Sequence, residues 1–296
     1  MLKRIKNQSI GDTIFDFFVG LLLAFAVVVC LYPFLYVVSV SVSSGEAVNK
    51  GLVTLLPVDL NFTAMSTVLN YTQLWTSYKN SVFYTIAGTF LNILFTCLAA
   101  YPLSKKTFCL RKPLNFLLAF TMYFSGGLIP IYIVVTSLGL YNSRWAMILP
   151  VLVSAYNVMI CRSAFEGISE ELFEEAELEG ANDFHIMWKI AVPLIKPTLA
   201  VLTLYYAVER YNDFFNAMLY ISDKKLEPLQ LFLRRILLEA SMEIMQTTSV
   251  TMAAASQSTI QVRYVCIVVS VVPIMVVVPF VQKYLVEGTM LGAVKG

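Results

Sequence analysis

Residues 170–193 read EELFEEAELEGANDFHIMWKIAVP and form the longest strongly polar stretch in a chain that is otherwise mostly apolar. Eight acidic residues fall between Glu166 and Asp183, more than in any other segment of that size. A charged run of this kind is commonly a solvated loop. This one also carries apolar residues at helical spacing, which a simple loop does not need. The pattern therefore favours an element that docks on a partner bearing basic groups.

The stretch predicts two short amphipathic helices joined at Gly180, which suits a left-handed helix end. Ser169 can cap the first helix, and Asn182 or Asp183 can cap the second. Pro193 limits the second helix and leads into the next apolar run. The apolar face of the first helix consists of Leu172, Phe173 and Ala176.

The composition is that of a membrane protein. Of the 296 residues, 58% are hydrophobic and 14% charged, and the mean hydropathy is +0.73. A soluble protein of this size needs more polar surface. The net charge of +2 indicates no nucleic-acid partner. The five cysteines form no C-x-x-C pair, so we expect core residues and no metal site.

Apolar runs predict an all-α polytopic membrane protein with six transmembrane helices. The spans are expected at about 17–42, 81–103, 113–136, 145–161, 197–222 and 264–282. This arrangement places twelve Lys and Arg residues on one side and eight on the other, five of the eight in one long segment. The positive-inside rule then gives both termini in the cytoplasm. Residues 1–13 become a cytoplasmic segment, 14–296 the transmembrane domain, and 166–193 a cytoplasmic loop between spans 4 and 5.

Two places within the spans could have a functional role. Gly126 and Gly127 predict a broken helix near the middle of the membrane, which is tolerated in a cavity or inside protein. With Tyr123 and Tyr132 nearby, a gate and a packing kink are equally good interpretations.

The second place is 209–213 (ERYND), about 18 Å along the fifth run by helical rise. Charges at that depth must face protein or a water-filled cavity. One alternative is an internal Glu209–Arg210 pair that only locks spans together. The other is a pathway lining, in which Arg210, Tyr211, Asn212 and Asp213 offer a sugar hydrogen bonds and an aromatic face.

The order Glu174, Ala176, Gly180, Ile190, Pro193 resembles the EAA loop of ABC-importer permeases, which reads E-A-A, three residues, G, nine residues, I-x-L-P. Glu175 replaces an Ala of that pattern and Val192 replaces its Leu. Residues 124–150 and 279–296 also resemble the sugar-importer branch, and more narrowly the permeases that accompany lipoprotein-type binding proteins for oligosaccharides. The resemblance covers nearly the whole chain.

The resemblance implies a multi-pass permease of the bacterial cytoplasmic membrane that imports an oligosaccharide. Its partners would be a second related permease, two ATPase subunits that bind ATP–Mg, an extracytoplasmic sugar-binding protein and membrane lipid. The loop would seat in the ATPase through Leu172, Phe173, Glu174, Glu175, Ala176, Gly180, Asp183 and Trp188. The substrate pathway would involve Tyr123, Gly126, Gly127, Tyr132, Glu209, Arg210, Tyr211, Asn212 and Asp213.

No catalytic residue and no cofactor of its own is expected for this chain. It contains no G-x-x-x-x-G-K-[ST], no H-E-x-x-H and no nucleophile elbow. One rival hypothesis is a stand-alone secondary transporter or channel with Glu209 or Asp213 as an ion or proton site. Another is a structural membrane scaffold. Six spans without a detectable repeat, together with the helix pair in the loop, weigh against the secondary transporter.

Overall fold

Helices supply almost all of the regular structure. The computed structural model describes residues 10–246, 261–273 and 275–276, with side chains described except at 10, 12–13 and 239–246. Within that part of the chain, β-pairing is confined to one isolated bridge between Ser43 and Leu60. The helices are α1 (Ile10–Val42), α2 (Gly45–Asn49), α3 (Thr63–Leu69), α4 (Thr72–Ser104), α5 (Arg111–Tyr123), α6 (Leu128–Ser137), α7 (Ala155–Glu166), α8 (Glu170–Leu178), α9 (Asp183–Ile186), α10 (Val192–Leu194), α11 (Lys196–Asn212), α12 (Phe214–Tyr220), α13 (Leu229–Gln246) and α14 (Gln261–Pro273).

Two helices are by themselves long and apolar enough to cross a membrane. They are Ile14–Val42, with mean hydropathy 2.8, and Thr72–Ser104, with 1.8. Three further candidates are bent pairs: Arg111–Tyr123 with Leu128–Ser137, Arg144–Val151 with Ala155–Glu166, and Asp183–Leu194 with Lys196–Asn212. Length and composition thus give two spans, or up to five if each bent pair crosses once. The sixth predicted span, 264–282, overlaps α14, and its end lies outside the described residues.

Several predicted boundaries differ from the structure. The helix of the first predicted span, α1, begins at Ile10, earlier than the predicted 17. The helix of the second predicted span, α4, begins at Thr72, earlier than the predicted 81. The fourth predicted span, 145–161, opens with two 3₁₀ helices, Arg144–Met147 and Leu149–Val151. The fifth, 197–222, is not one helix, because the backbone leaves the helical region at Asp213. The predicted break at Gly127 is confirmed: φ is +86° there, and the two halves of the third span meet at 115°.

The chain divides into two units, 1–71 with 236–271 and 72–235 with 272–296. In the first, a buried glutamine closes the end of α1. Gln261 Nε2 donates to the carbonyl oxygens of Ser43 at 2.6 Å and Asn61 at 3.1 Å. Ser43 Oγ donates to Ser39 O and accepts from Val58 N. Backbone groups that a helix end leaves unpaired are satisfied in this way.

In the second unit, α4, α7 and α11 pack around one apolar core. Its members include Cys97, Ala100, Val158, Cys161, Phe165 and Leu202. A buried hydrogen bond of 2.8 Å joins Thr96 Oγ1 and Tyr206 OH, and it links α4 to α11. The loop of 170–193 adds its own apolar residues to the same core, which fixes its position relative to the three helices.

The start of α4 is held by the segment that precedes α13. Asn80 Nδ2 donates to the carbonyl oxygens of Lys225 at 2.7 Å and Glu227 at 3.1 Å. Tyr84 OH donates to Leu226 O at 2.9 Å. These polar contacts explain why α4 extends beyond its apolar run, since its first turns are buried by protein. Helix α13 follows this segment, and residues 247–260 lie outside the described part of the chain.

Candidate functional site

The polar loop folds as two helical pieces, as its sequence predicts. Gly180 has φ +85°, and its backbone N–H donates to Glu177 O at 3.0 Å, so it ends α8 in the left-handed region. Asn182 is the cap of the second piece, and its Oδ1 accepts from His185 N at 2.8 Å. Ser169 makes no capping hydrogen bond through its side chain, so that part of the prediction is wrong. Ser169 is nevertheless the residue before the first turn of α8, since its backbone dihedral angles are not helical.

The second piece has an unexpected geometry. After α9 the chain passes through a π turn, Met187–Ala191, before the short α10. The π turn widens the hydrogen-bond ring by one residue. Beyond Leu194 the chain bends by 84° into α11. Ile195 at the bend is buried, so the bend is packed into the core.

The inner face of α8 is bound to the chain's own spans. Phe173 is 8% exposed, and its ring meets that of Tyr101 edge-on at 6.4 Å. Lys105 Nζ lies 3.5 Å from the centre of the Phe173 ring and 5.3 Å from that of Tyr101, a cation–π arrangement on two rings. Burial lowers the pKa of Lys105, while Glu177, Asp183 and Glu170 act in the opposite direction.

Ion pairs hold the start of the loop. Lys106 Nζ lies 2.6 Å from Glu170 Oε1, and this bond lowers the pKa of Glu170. Glu166 Oε1 lies 2.6 Å from Arg111 Nη2 and 3.1 Å from Arg162 Nε. An exposed pair contributes about 0–1 kcal/mol, whereas the Glu166 cluster is half-buried. Basic groups of the chain itself therefore neutralise part of the acidic run.

A cavity of about 610 Å³ opens between α8 and the basic segment 105–111. Basic residues line the cavity on the side of this segment, namely Lys105, Lys106 and Arg111. The acidic residues that line it are Glu170, Glu174, Glu177 and Asp183. Phe173 forms its apolar base. The cavity thus separates the free part of the acidic helix from the span that precedes the basic segment.

The predicted coupling residues divide into two groups. Phe173 and Ala176 are buried in the core, and Trp188 packs against it, so these three anchor the loop. Leu172, Glu174, Glu175, Gly180 and Asp183 are exposed. The exposed side also holds two apolar residues that the prediction omitted, Leu178 at 89% and Phe184 at 64% exposure. An amphipathic helix turns its apolar face toward a core. The core available to Phe173 and Ala176 is that of the chain itself.

The predicted pathway residues of the third span lie around the broken helix. Tyr123 is 83% exposed, and Gly126 and Gly127 are exposed. Gly127 N donates to Ser125 Oγ at 3.2 Å. The Tyr132 ring stacks on that of Tyr220, 6.0 Å between centres and 10° between planes. This stack brings α6 next to α12.

The residues of 209–213 point in different directions. Glu209 and Asn212 are exposed, whereas Arg210 and Tyr211 are buried. Asp213 caps α12, its Oδ1 accepting from Asn216 N at 3.1 Å. Among the described residues no ion pair joins Glu209 to Arg210. Arg210 instead donates to carbonyl oxygens of the 3₁₀ segment and to Asn92 Oδ1 at 2.8 Å.

Sequence reasoning overlooked two kinds of residue. Lys105 was counted only as a topological charge, and its place four residues after Tyr101, directly after the end of α4, was the available signal. Asn92 and Gly88 flank Arg210 from α4, and nothing in their local sequence indicates this contact. A buried arginine requires acceptors, however, and the interruption at Pro150 was the nearest source of unpaired carbonyl oxygens.

These features define a class. Apolar helices able to span a membrane, a helix broken at Gly127 and a polar loop packed on the core of α4, α7 and α11 are consistent with a membrane permease. A model of the family described as "Binding-protein-dependent transport system inner membrane component" matches residues 74–290. The chain belongs to this family and is a permease component of an ABC import system, as its EAA-like loop predicted.

Individual relatives agree with this assignment. The chain is 38% identical over 287 residues to the polygalacturonan/rhamnogalacturonan transport system permease protein YtcP of Bacillus subtilis (strain 168), covering 96% of this chain and 99% of that protein. It is 36% identical over 268 residues to Protein LplC of the same organism, covering 90% of each. A solved chain of a bacterial ABC transporter involved in the import of the acidic polysaccharide alginate matches with TM-score 0.85 and 37% identity, covering 94% of this chain and 99% of that one.

Proposed function

We propose that this chain is the membrane-spanning subunit of an ATP-driven importer for oligosaccharides, and that those derived from acidic polysaccharides are the first candidates. The printed names of two relatives support this substrate class, since one is a polygalacturonan/rhamnogalacturonan permease and the other takes part in the import of alginate. The chain itself would do no chemistry. It would form half of the pathway with a second permease.

The observation that carries the proposal is the way the loop is mounted. One face of α8 is anchored by Phe173 beneath Lys105, whereas Leu178 of α8 and Phe184 of α9 are exposed. Exposed apolar residues grouped on an otherwise polar surface mark a protein contact. We assign that contact to one of two ATPase subunits, which bind ATP–Mg and push on the loop when they close.

The proposed topology has six spans with both termini in the cytoplasm, so that segment 105–111 and the loop face the same side. Cys109, in that basic segment, is exposed and serves as a native probe. A membrane-impermeant maleimide should modify Cys109 in inside-out vesicles and not in right-side-out ones. The opposite result would invert the topology and remove the loop from the ATPases.

The pathway roles proposed for Tyr123, Gly126, Gly127 and Tyr132, and for Glu209, Asn212 and Asp213, rest on exposure and on the broken helix. Exposed hydroxyl and amide groups beside aromatic rings suit a sugar, whereas the carboxylates of Glu209 and Asp213 would repel an acidic one. Arg210 and Tyr211 are buried here and would act on the pathway only indirectly. The rival ion-coupled mechanism loses support at Asp213, because its carboxylate is already engaged by Asn216.

The deciding experiment is transport by the reconstituted complex of two permeases, two ATPases and the binding protein. We expect uptake of galacturonan or alginate oligomers only with ATP on the ATPase side and binding protein on the other, and no effect of ionophores. Uptake by the lone chain driven by an ion gradient would support the secondary transporter. Transport of neutral oligosaccharides alone would refute the acidic substrate class while leaving the importer.

The loop contact has its own test. Leu178→Ser and Phe184→Ser should each weaken the association of the ATPase with the permease pair. Leu110→Ser is the matched control, since Leu110 is an exposed leucine within the basic segment and outside the loop. Equal ATPase retention in all three variants would contradict the assignment.

A further inference from the structure

We propose that Arg210 is a positioning residue that joins the outer end of α11 to the bent span 144–166 and to α4, so that these elements tilt as one body when the loop is pushed. The inference rests on the proposed function, because it concerns how a push on the loop reaches the far side of the membrane. It replaces the expectation that Arg210 lines the pathway.

The guanidinium group occupies a socket made by three parts of the chain. Arg210 is 6% exposed. Its Nη1 donates to Met147 O, and its Nη2 donates to Val151 O at 2.8 Å and to Ile148 O at 3.1 Å. The fork of an arginine can serve several acceptors in one plane, which a lysine ammonium cannot.

The acceptors belong to the place where the bent span is weakest. Its two 3₁₀ helices end at Met147 and Val151, and the following helix α7 leaves at 55°. Carbonyl oxygens at such ends have no helical partner. Removing the guanidinium would leave several of them buried and unpaired, so the segment would be free to rearrange against α11.

The wall on the side of α4 is equally close-fitting. Asn92 is 1% exposed; its Oδ1 accepts from Arg210, and its Nδ2 donates to Val151 O at 3.4 Å. At Gly88 a Cβ would lie 3.1 Å from Arg210 Nε and 3.3 Å from its Cδ. A larger residue at this position would force the Arg210 side chain to shift by a few tenths of an ångström. The socket is therefore specific for the arginine and its placement.

The two ends of α11 are thus fixed differently. Its inner end shares the apolar core with the loop, through Ile195 and Leu202, and its outer end is held by the charged group. If α11 were attached only at its inner end, a push on the loop would move α11 past the 3₁₀ segment, whereas a second attachment at Arg210 makes that segment move with it. The hydrogen bonds of Arg210 therefore convert local displacement into movement of the 3₁₀ segment.

The primary test measures this rigidity directly. Spin labels replace Trp145 and Tyr205, both exposed, in a chain whose exposed Cys30 and Cys109 are changed to serine. In the assembled complex, pulsed EPR should give the same label distance in nucleotide-free and vanadate-trapped states. With Arg210→Met the distribution should broaden and shift between states. A distance that changes between states in the otherwise unaltered chain, or an unaffected distribution in Arg210→Met, would overturn the proposal.

A functional series separates positioning from simple folding. In complexes of equal yield, Arg210→Met should lower stimulation of ATP hydrolysis by the loaded binding protein about tenfold or more, with basal hydrolysis retained. Arg210→Lys should recover part of it, and Gly88→Ala should give an intermediate loss by displacing the guanidinium. Gly20→Ala is the control, because a Cβ there meets nothing within 4 Å. Full stimulation in Arg210→Met refutes the joint.

This design keeps the two hypotheses apart. If oligosaccharide uptake fails with ATP and binding protein present, the proposed function is wrong, whereas the label distances still report whether α11 and the 3₁₀ segment move together. If uptake succeeds and the distances vary, only the joint is wrong.

Discussion

Replacing Phe173 by alanine should release α8 from its packing on the core of α4, α7 and α11 while leaving these helices folded. The nine-residue α8 buries only Phe173 and Ala176, and isolated helices of that length are marginal in water. Loss of a buried phenylalanine costs about 3–5 kcal/mol. Because Phe173 lies at the edge of the core, we take the lower end, about 3 kcal/mol. Most of this loss should appear in the free energy of local opening of α8 and little of it in that of global unfolding.

Hydrogen exchange measures that opening. A loss of about 3 kcal/mol corresponds to roughly 100-fold faster exchange of amides 171–180, while amides of α11 should keep their protection. Lys105→Met keeps the stem and removes the charge above the ring, and a partly desolvated cation–π contact of about 0.5–2 kcal/mol gives about 2- to 30-fold. ATP-driven uptake should fall with the protection of α8.

Leu172→Ala provides the matched control on the same helix. Leu172 is 42% exposed, and alanine is the better helix former, so exchange should change less than about fivefold, equivalent to under 1 kcal/mol. If Phe173→Ala exchanges no faster than Leu172→Ala, the aromatic ring is not the anchor. The loop would then be held by its ion pairs alone.

Three further changes test other contacts. Gly180→Ala should cost about 1–2 kcal/mol of local stability, since φ is +85° and a Cβ meets nothing within 4 Å; exchange of α8 should show this, and Gly180→Asn should cost less. Asn142→Gly should speed exchange of 221–226, because Asn142 Oδ1 accepts from Ser222 N and Asp223 N; unchanged rates would assign the turn to its backbone. Burial raises the pKa of Glu227, with Arg235 acting in the opposite direction, so the folded state binds this proton more tightly. Stability should therefore rise as pH falls from the raised pKa toward 4.5, a slope that thermal unfolding should detect and Glu227→Gln should flatten.

The parts of the fold that could be predicted from sequence depend on local chemistry. Gly180 and Asn182 specify the end of one helix and the start of the next by their own backbone and side-chain preferences. Gly127 likewise predicts the break in the third predicted span. Apolar runs locate the spans because every backbone group inside a membrane must be paired within the segment.

The remaining features depend on contacts between distant residues. Arg210 meets Met147 and Asn92, residues 63 and 118 positions away, so its sequence position could not distinguish a pathway lining from a packing role. The direction of Phe173 was likewise undetermined, because an apolar face fits a partner and the chain's own core equally well. The fifth span was overextended because the backbone turn at Asp213 lies between apolar residues and has no glycine or proline to mark it.

The π turn at Met187–Ala191 determines which way the loop faces. Successive residues of an ordinary helix are separated by about 100° around the axis, and the π turn accommodates one residue more. Deleting a single residue there would restore regular winding and rotate everything upstream, including Phe184, into a different quadrant relative to α11. The orientation in which an ATPase subunit would meet the loop thus depends on how many residues the turn contains, independently of their side chains.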